Sequence, residues 1–137
     1  MVDSITVSVK ELHAYGVSVL TSIGMNKQDA LTIADKLVLT DSWGTFTHGN
    51  KLLGDYVTRL QAGGTNPLGR PRIVSEGPAW AIVDGDNAAG QVGCDFAMRK
   101  AIELAKLAGI SYVGVKNTSH FGAAGVYPAM AAEANMI

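Results

Sequence analysis

IVSEGPAWAIVDGDNAAGQVG, residues 73–93, is the stretch in which the periodicity of the chain changes. Two short runs rich in β-branched and apolar residues flank a Gly-Pro pair, which predicts two strands around a turn. The glycines from Gly85 to Gly93 then lead from strand to helix. They match neither GxGxxG nor GxxxxGK[ST], so the usual dinucleotide and phosphate-loop fingerprints are missing. The cluster reads either as a tight turn or as a weak phosphate cradle at a helix N-terminus, and the turn is the simpler reading.

Upstream the pattern is helical. Val9, Leu12, Val17, Leu20 and Ile23 recur at helical spacing up to Gly24. Asn26 is placed to cap a second helix, with Asp29 in its first turn and Ala30, Ile33, Ala34, Leu37 and Val38 along one face. A third helix is expected from His48–Gly49 through Tyr56 and Leu60 to Gly63–Gly64, followed by the turn-rich connector TNPLGRPR. Downstream, Gly93–Leu107 returns to helix, Gly109 stops it, and ISYVGV is a short strand. From Ala123 the chain is helical again, with Pro128 suited to a first turn. The expectation is an α+β chain: a helical segment over 1–66, then over 67–137 the opening of an α/β domain that is not a Rossmann fold. The closing AAEANMI leaves a helical pattern without a glycine stop or a basic last turn, so a truncated chain is expected.

Composition narrows the function. Of 137 residues, 47% are hydrophobic and 17% charged, enough for a packed core. Eleven basic against twelve acidic side chains give a net charge of -1, with no electrostatic case for nucleic acid or an anionic membrane. A small-molecule partner fits better. The start lacks the charged and apolar regions of a signal peptide, and no run approaches the roughly 20 residues of a membrane span. The lone Cys94 fits a reducing, cytoplasmic setting, and nothing stands at ligand spacing from it to make a metal site.

Three histidines are the candidate acid–base groups. His13 lies inside the first helix and reads as a partly exposed helix residue. His48 follows Gly44 and Thr45-Phe46-Thr47, where Thr45 or Thr47 is placed to cap the next helix. In a first turn the helix dipole disfavours the charged imidazole, so His48 reads either as a neutral proton carrier or as one member of a cap. His120 follows the strand and the polar run Asn117-Thr118-Ser119, before a stretch of small residues that lets a ligand approach the backbone. It reads either as a site residue or as part of an ordinary polar loop.

Together these motifs resemble one family, the malate/L-lactate dehydrogenase group, which also includes ureidoglycolate and diketogulonate oxidoreductases. The family's Asp-x-x-Gly-x-x-Ser-His-Gly run is similar to Asp41-Ser42-Trp43-Gly44-Thr45-Phe46-Thr47-His48-Gly49, followed by Tyr56 and Leu60-Gln61-Ala62-Gly63. VDGDNAAGQVG and Asn117–Gly125 match two later motifs in the same order. The resemblance implies hydride transfer between NAD or NADP and a 2-hydroxyacid or its 2-ketoacid, in a homodimer. It assigns the proton relay to His48, with Thr47 in place of serine, and sets His120 beside nicotinamide and substrate. Phe121, Gly122, Ala123 and Ala124 would line the cofactor, and Lys51, Tyr56 and Asn117 would meet the substrate. One departure concerns the carboxylate clamp: many members carry arginine where this chain has Leu52, with Lys51 the nearest cation. The other is length, because the family's later segments carry most cofactor contacts and an aspartate of the relay. The chain alone is therefore expected to be inactive, and a non-catalytic remnant or interaction module is the alternative reading.

Overall fold

Ser8 starts the first helix. Its hydroxyl accepts from the Glu11 N–H at 3.1 Å and donates to the Glu11 carboxylate at 2.6 Å, a reciprocal cap for α1 (Val9–Ser22). The computed structural model describes residues 6–137, so the first five residues of the stretch expected to lack a leader lie outside the described residues. Asn26 caps α2 (Lys27–Ser42) as expected, its side chain accepting from the Asp29 N–H at 3.0 Å. Ala30, Ile33, Ala34, Leu37 and Val38 form the buried face of α2. Of these, Ala30, Ile33 and Leu37 join Leu20, Met25, Leu53, Leu60 and Ala89 in the main core. Truncating Leu20, Ile33 or Leu37, each at most 1% exposed, to alanine costs about 2–5 kcal/mol.

The third helix departs from expectation. After Gly44 the backbone makes two 3-10 turns, Phe46–His48 and Asn50–Leu52, and α3 runs only over Leu53–Gln61. Neither turn has a side-chain cap, so Thr45 and Thr47 do not serve as helix caps. Across residues 41–50 the Asp41 carboxylate accepts the Asn50 backbone N–H and holds the chain in this tighter path.

β1 (Arg72–Gly77) and β2 (Trp80–Asp84) pair antiparallel around the Gly-Pro turn, with a register irregularity between Ile73 and Ser75. α4 (Gly90–Ala108) crosses over and returns the chain as β3 (Tyr112–Lys116), parallel to β2, giving the order β1-β2-β3. Gly109 ends α4 in the left-handed region, and α5 (Val126–Glu133) carries Pro128 in its first turn. The helical lead packs directly on this sheet unit. Lys36 of α2 meets Asp95 of α4 at 2.8 Å with both side chains largely buried, and Arg99 holds the same carboxylate at 2.6 Å. No helix among the described residues is long and apolar enough to cross a membrane.

Candidate functional site

Parallel strands β2 and β3 end side by side, so the loops 85–89 and 117–125 leave the same edge of the sheet. Backbone pairing continues past the strands: the Gly85 N–H donates to the Lys116 carbonyl at 2.8 Å and the Asn87 N–H to the Asn117 carbonyl at 2.9 Å. The Asn117 amide donates to Asp84 Oδ1 at 3.0 Å, and the Thr118 hydroxyl to the Ala88 carbonyl at 3.3 Å.

The glycine cluster is the seat of this second loop. A Cβ on Gly90 would overlap the Ser119 and His120 carbonyl oxygens, and one on Gly85 would lie 2.8 Å from the Asn117 carbonyl oxygen. The glycines let two backbones touch, and two carbonyl oxygens against Gly90 suit no phosphate. The tight-turn reading holds in part, since Asp86 and Asn87 turn with φ 52°; the phosphate cradle does not.

The loop delivers His120, whose Nδ1 lies 2.9 Å from the Tyr56 hydroxyl of α3 and accepts from the Gly122 N–H at 3.4 Å. The facing wall is the 3-10 segment. Asp41 Oδ2 accepts from both the backbone N–H and the side-chain amide of Asn50, each at 2.9 Å. A Cβ on Gly49 would overlap the Asp41 carboxylate, so a larger residue fits only if that side chain moves away. His48 leaves this pinned turn with Nδ1 3.0 Å from the Thr47 hydroxyl, and its ring centroid is 5.9 Å from that of His120.

Between the walls lies a cleft of about 410 Å³ lined by Thr47, His48, Leu52, Asp55, Tyr56, Arg59 and His120, a size that fits a small ligand. Burial raises the Tyr56 hydroxyl above its ordinary pKa; the Gln91 amide works against this and the Asp55 charge adds to it. Tyr56 therefore stays protonated at neutral pH and able to donate.

Four expected residues, Thr47, His48, Tyr56 and His120, thus meet in one place. Lys51 lines a separate groove with Val7, Val9 and Phe46, and the Asn117 amide is taken by Asp84. The Phe121 ring lies over a small pocket beside Cys94 and Tyr127 instead of in the cleft. Burial pushes the Cys94 thiol up, away from nucleophile chemistry. Sequence reasoning missed Arg59 and Gln91. Arg59 carries a signal, since it stands one helical turn after Tyr56 on the same face. Gln91 carries only a polar side chain at an apolar helix start. A larger apolar groove beside β3 and the chain's last residues holds no charged side chain.

The malate/L-lactate dehydrogenase family model matches residues 7–137. A malate dehydrogenase of Pyrococcus abyssi is 44% identical over 127 residues, which are 93% of this chain and 35% of that protein. An L-sulfolactate dehydrogenase of Methanocaldococcus jannaschii is 40% identical over 88% of this chain and 35% of its own length. The solved malate dehydrogenase of Pyrococcus horikoshii OT3 superposes with a TM-score of 0.92 at 41% identity, over 97% of this chain and 39% of that one. The chain thus spans little more than a third of the curated relatives it matches. On a match that covers nearly all of its described residues, with a shared fold, the chain belongs to the malate/L-lactate dehydrogenase family.

Proposed function

We propose that this chain forms the histidine-bearing part of an NAD- or NADP-dependent oxidoreductase that interconverts a 2-hydroxyacid and its 2-ketoacid. The observation that carries the reading is the meeting of two distant sequence motifs: the His48 and His120 rings stand 5.9 Å apart with Tyr56 bonded to His120. The dehydrogenase names of the relatives support the reaction class. The residues present fit a nicotinamide: after the buried turn at Gly122, Ala123 and Ala124 offer a nearly side-chain-free backbone close in sequence to His120, against which a flat ring can lie. Bound there, nicotinamide supplies the carbon that exchanges hydride with substrate C2.

The protein's part is positioning and proton transfer. His48, with Nδ1 beside Thr47, has Nε2 free to take the C2 hydroxyl proton in oxidation and give it back to the carbonyl oxygen in reduction. Arg59 lines the cleft where Lys51 does not, and its planar fork suits the substrate carboxylate. His120 holds a substrate oxygen. On this reading the whole enzyme is a cytoplasmic homodimer, and the 137-residue chain alone turns nothing over.

A chimera in which residues 7–137 replace the matching part of the P. abyssi malate dehydrogenase tests this. It is expected to oxidise NAD(P)H with a 2-ketoacid, and His48→Ala is expected to lower kcat about 100-fold or more with its melting temperature kept. A folded chimera that binds NAD(P)H yet turns over no member of a malate, lactate and sulfolactate panel refutes the proposal and favours the non-catalytic remnant.

A further inference from the structure

The cleft carries two fixed charges, and the chemistry described so far uses one of them. Asp55 and Arg59 both line it, one turn apart on α3, with Leu52 a further turn toward the helix start. An acid four residues ahead of a base on a helix is placed to pair with it. Asp95 and Arg99 on α4 have that spacing and close to 2.6 Å. Asp55 and Arg59 have it too, yet among the described residues neither closes an ion pair with the other or with any third side chain. Both are exposed. A ligand in the cleft therefore meets an open anion as well as an open cation. The rest of the lining is Thr47, Leu52, Tyr56 and the two histidines, and Lys51 belongs to another groove.

With the reacting carboxylate on Arg59 and the C2 oxygen at the histidines, Asp55 and Leu52 are left for the remainder of the ligand. Four residues of helix rise about 6 Å, a span that a four-carbon acid bridges. We propose that Asp55 determines specificity: the cleft takes 2-ketoacids whose far end donates hydrogen bonds, as an amide, hydroxyl or ammonium does, and turns away those ending in a second carboxylate or sulfonate. An ionised carboxylate only accepts, so an N–H or O–H at that end gains a charge-assisted bond. A second anion there meets a like charge, and the cleft has no further lysine or arginine to balance it. The proposal sets this cleft apart from one built for malate or sulfolactate, each of which carries two negative charges.

This selection rests on the hydride-transfer reading, and its test separates the two. Oxaloacetate and its 4-amide match in size and differ in one charge. In the chimera carrying residues 7–137, Asp55→Asn should shift the ratio of kcat/KM for the two acids about tenfold toward oxaloacetate. That is the scale of one like charge about 5 Å away in an effective dielectric between ~20 and ~80. Asp55→Lys should shift it further, and about 1 M salt, which screens beyond ~3 Å, should shrink the wild-type preference. Asp55 is exposed, so neither change threatens folding. A ratio cancels what the rest of the site contributes, and a merely structural role leaves it unmoved. If the chimera turns over neither acid, the hydride-transfer reading fails and binding decides. NMR titration of the His48 and His120 signals of the 137-residue chain should then show tighter binding of malate 4-amide than of malate, with the gap closed in Asp55→Asn. A ratio unchanged in both variants of an active chimera overturns the proposal. So does equal affinity for malate and its amide, or binding of neither, where the chimera is inactive.

Discussion

Exchanging Gly49 for alanine probes the turn that carries His48, and the structure sets the size of the effect. The new Cβ overlaps the Asp41 carboxylate, which must swing away. Swinging it breaks two hydrogen bonds of 2.9 Å from Asn50. Bonds to a charged acceptor contribute about 1.5–3 kcal/mol each. Both are only part-buried and the freed carboxylate regains water, so the lower figure applies and the loss is about 3 kcal/mol. Alanine also restricts the unfolded chain, which offsets about 0.5–1 kcal/mol, leaving Gly49→Ala about 2–2.5 kcal/mol less stable than wild type. Asp41→Ala loses the same two bonds without the offset, about 3 kcal/mol. In the double variant the Cβ enters space the carboxylate has left, so its cost stays near 2–2.5 kcal/mol instead of the additive sum of about 5. Urea unfolding of the four proteins, followed by circular dichroism, measures the cycle. Additivity to within about 0.5 kcal/mol would show that Gly49 and Asp41 act separately, and the pinned-turn account would fall.

Gly90→Ala should destabilise by about 1–3 kcal/mol, although helix propensity alone predicts a gain of about 1 kcal/mol; a more stable variant in the same unfolding assay would contradict the loop seat. Burial alone would raise the Asp95 carboxyl, but the hydrogen bonds and charges of Arg99 and Lys36 outweigh it and hold the pKa below the ordinary value. The stability this adds is present above about pH 4, the unfolded carboxyl's range, and is lost as pH falls through the lower folded value. Asp95→Asn should therefore flatten the acid side of the stability–pH curve, and an unchanged slope counts against the ion pair. In the chimera, Ala123→Val should weaken NAD(P)H binding at least tenfold by steric exclusion with kcat less affected; unchanged affinity in a folded protein would make the loop a connector only.

Much of the fold was legible because its signals are local. Asn26, Gly24, Gly63 and Gly109 sit where caps and left-handed stops demand them, and each acts on residues within one turn. The start of the third helix, expected at His48–Gly49, falls at Leu53 instead, because Asp41 reaches across nine positions to Asn50, a side-chain bond that no periodicity encodes. The two histidines and Tyr56 could be picked out from resemblance and setting. The purpose of Gly85 and Gly90 could not, since the backbone they admit arrives from residues 117–120. Lys51 and Arg59 show the same limit from the other side. Proximity in sequence favoured Lys51 as the cleft's cation, whereas the face of α3 presents Arg59.

The glycine seat also sorts the cleft by how much mutation each wall tolerates. On the loop side, one added methyl at Gly90 must be absorbed by backbone, with His120 carried along. On the α3 side, Asp55 and Arg59 are exposed and Leu52 half-exposed, so these positions accept changes of size and charge at little cost to folding. A library built to alter which acid the cleft takes belongs at 52, 55 and 59, with 85 and 90 held fixed. Drift among related proteins should follow the same division, with substrate range wandering along one wall while the other keeps its register.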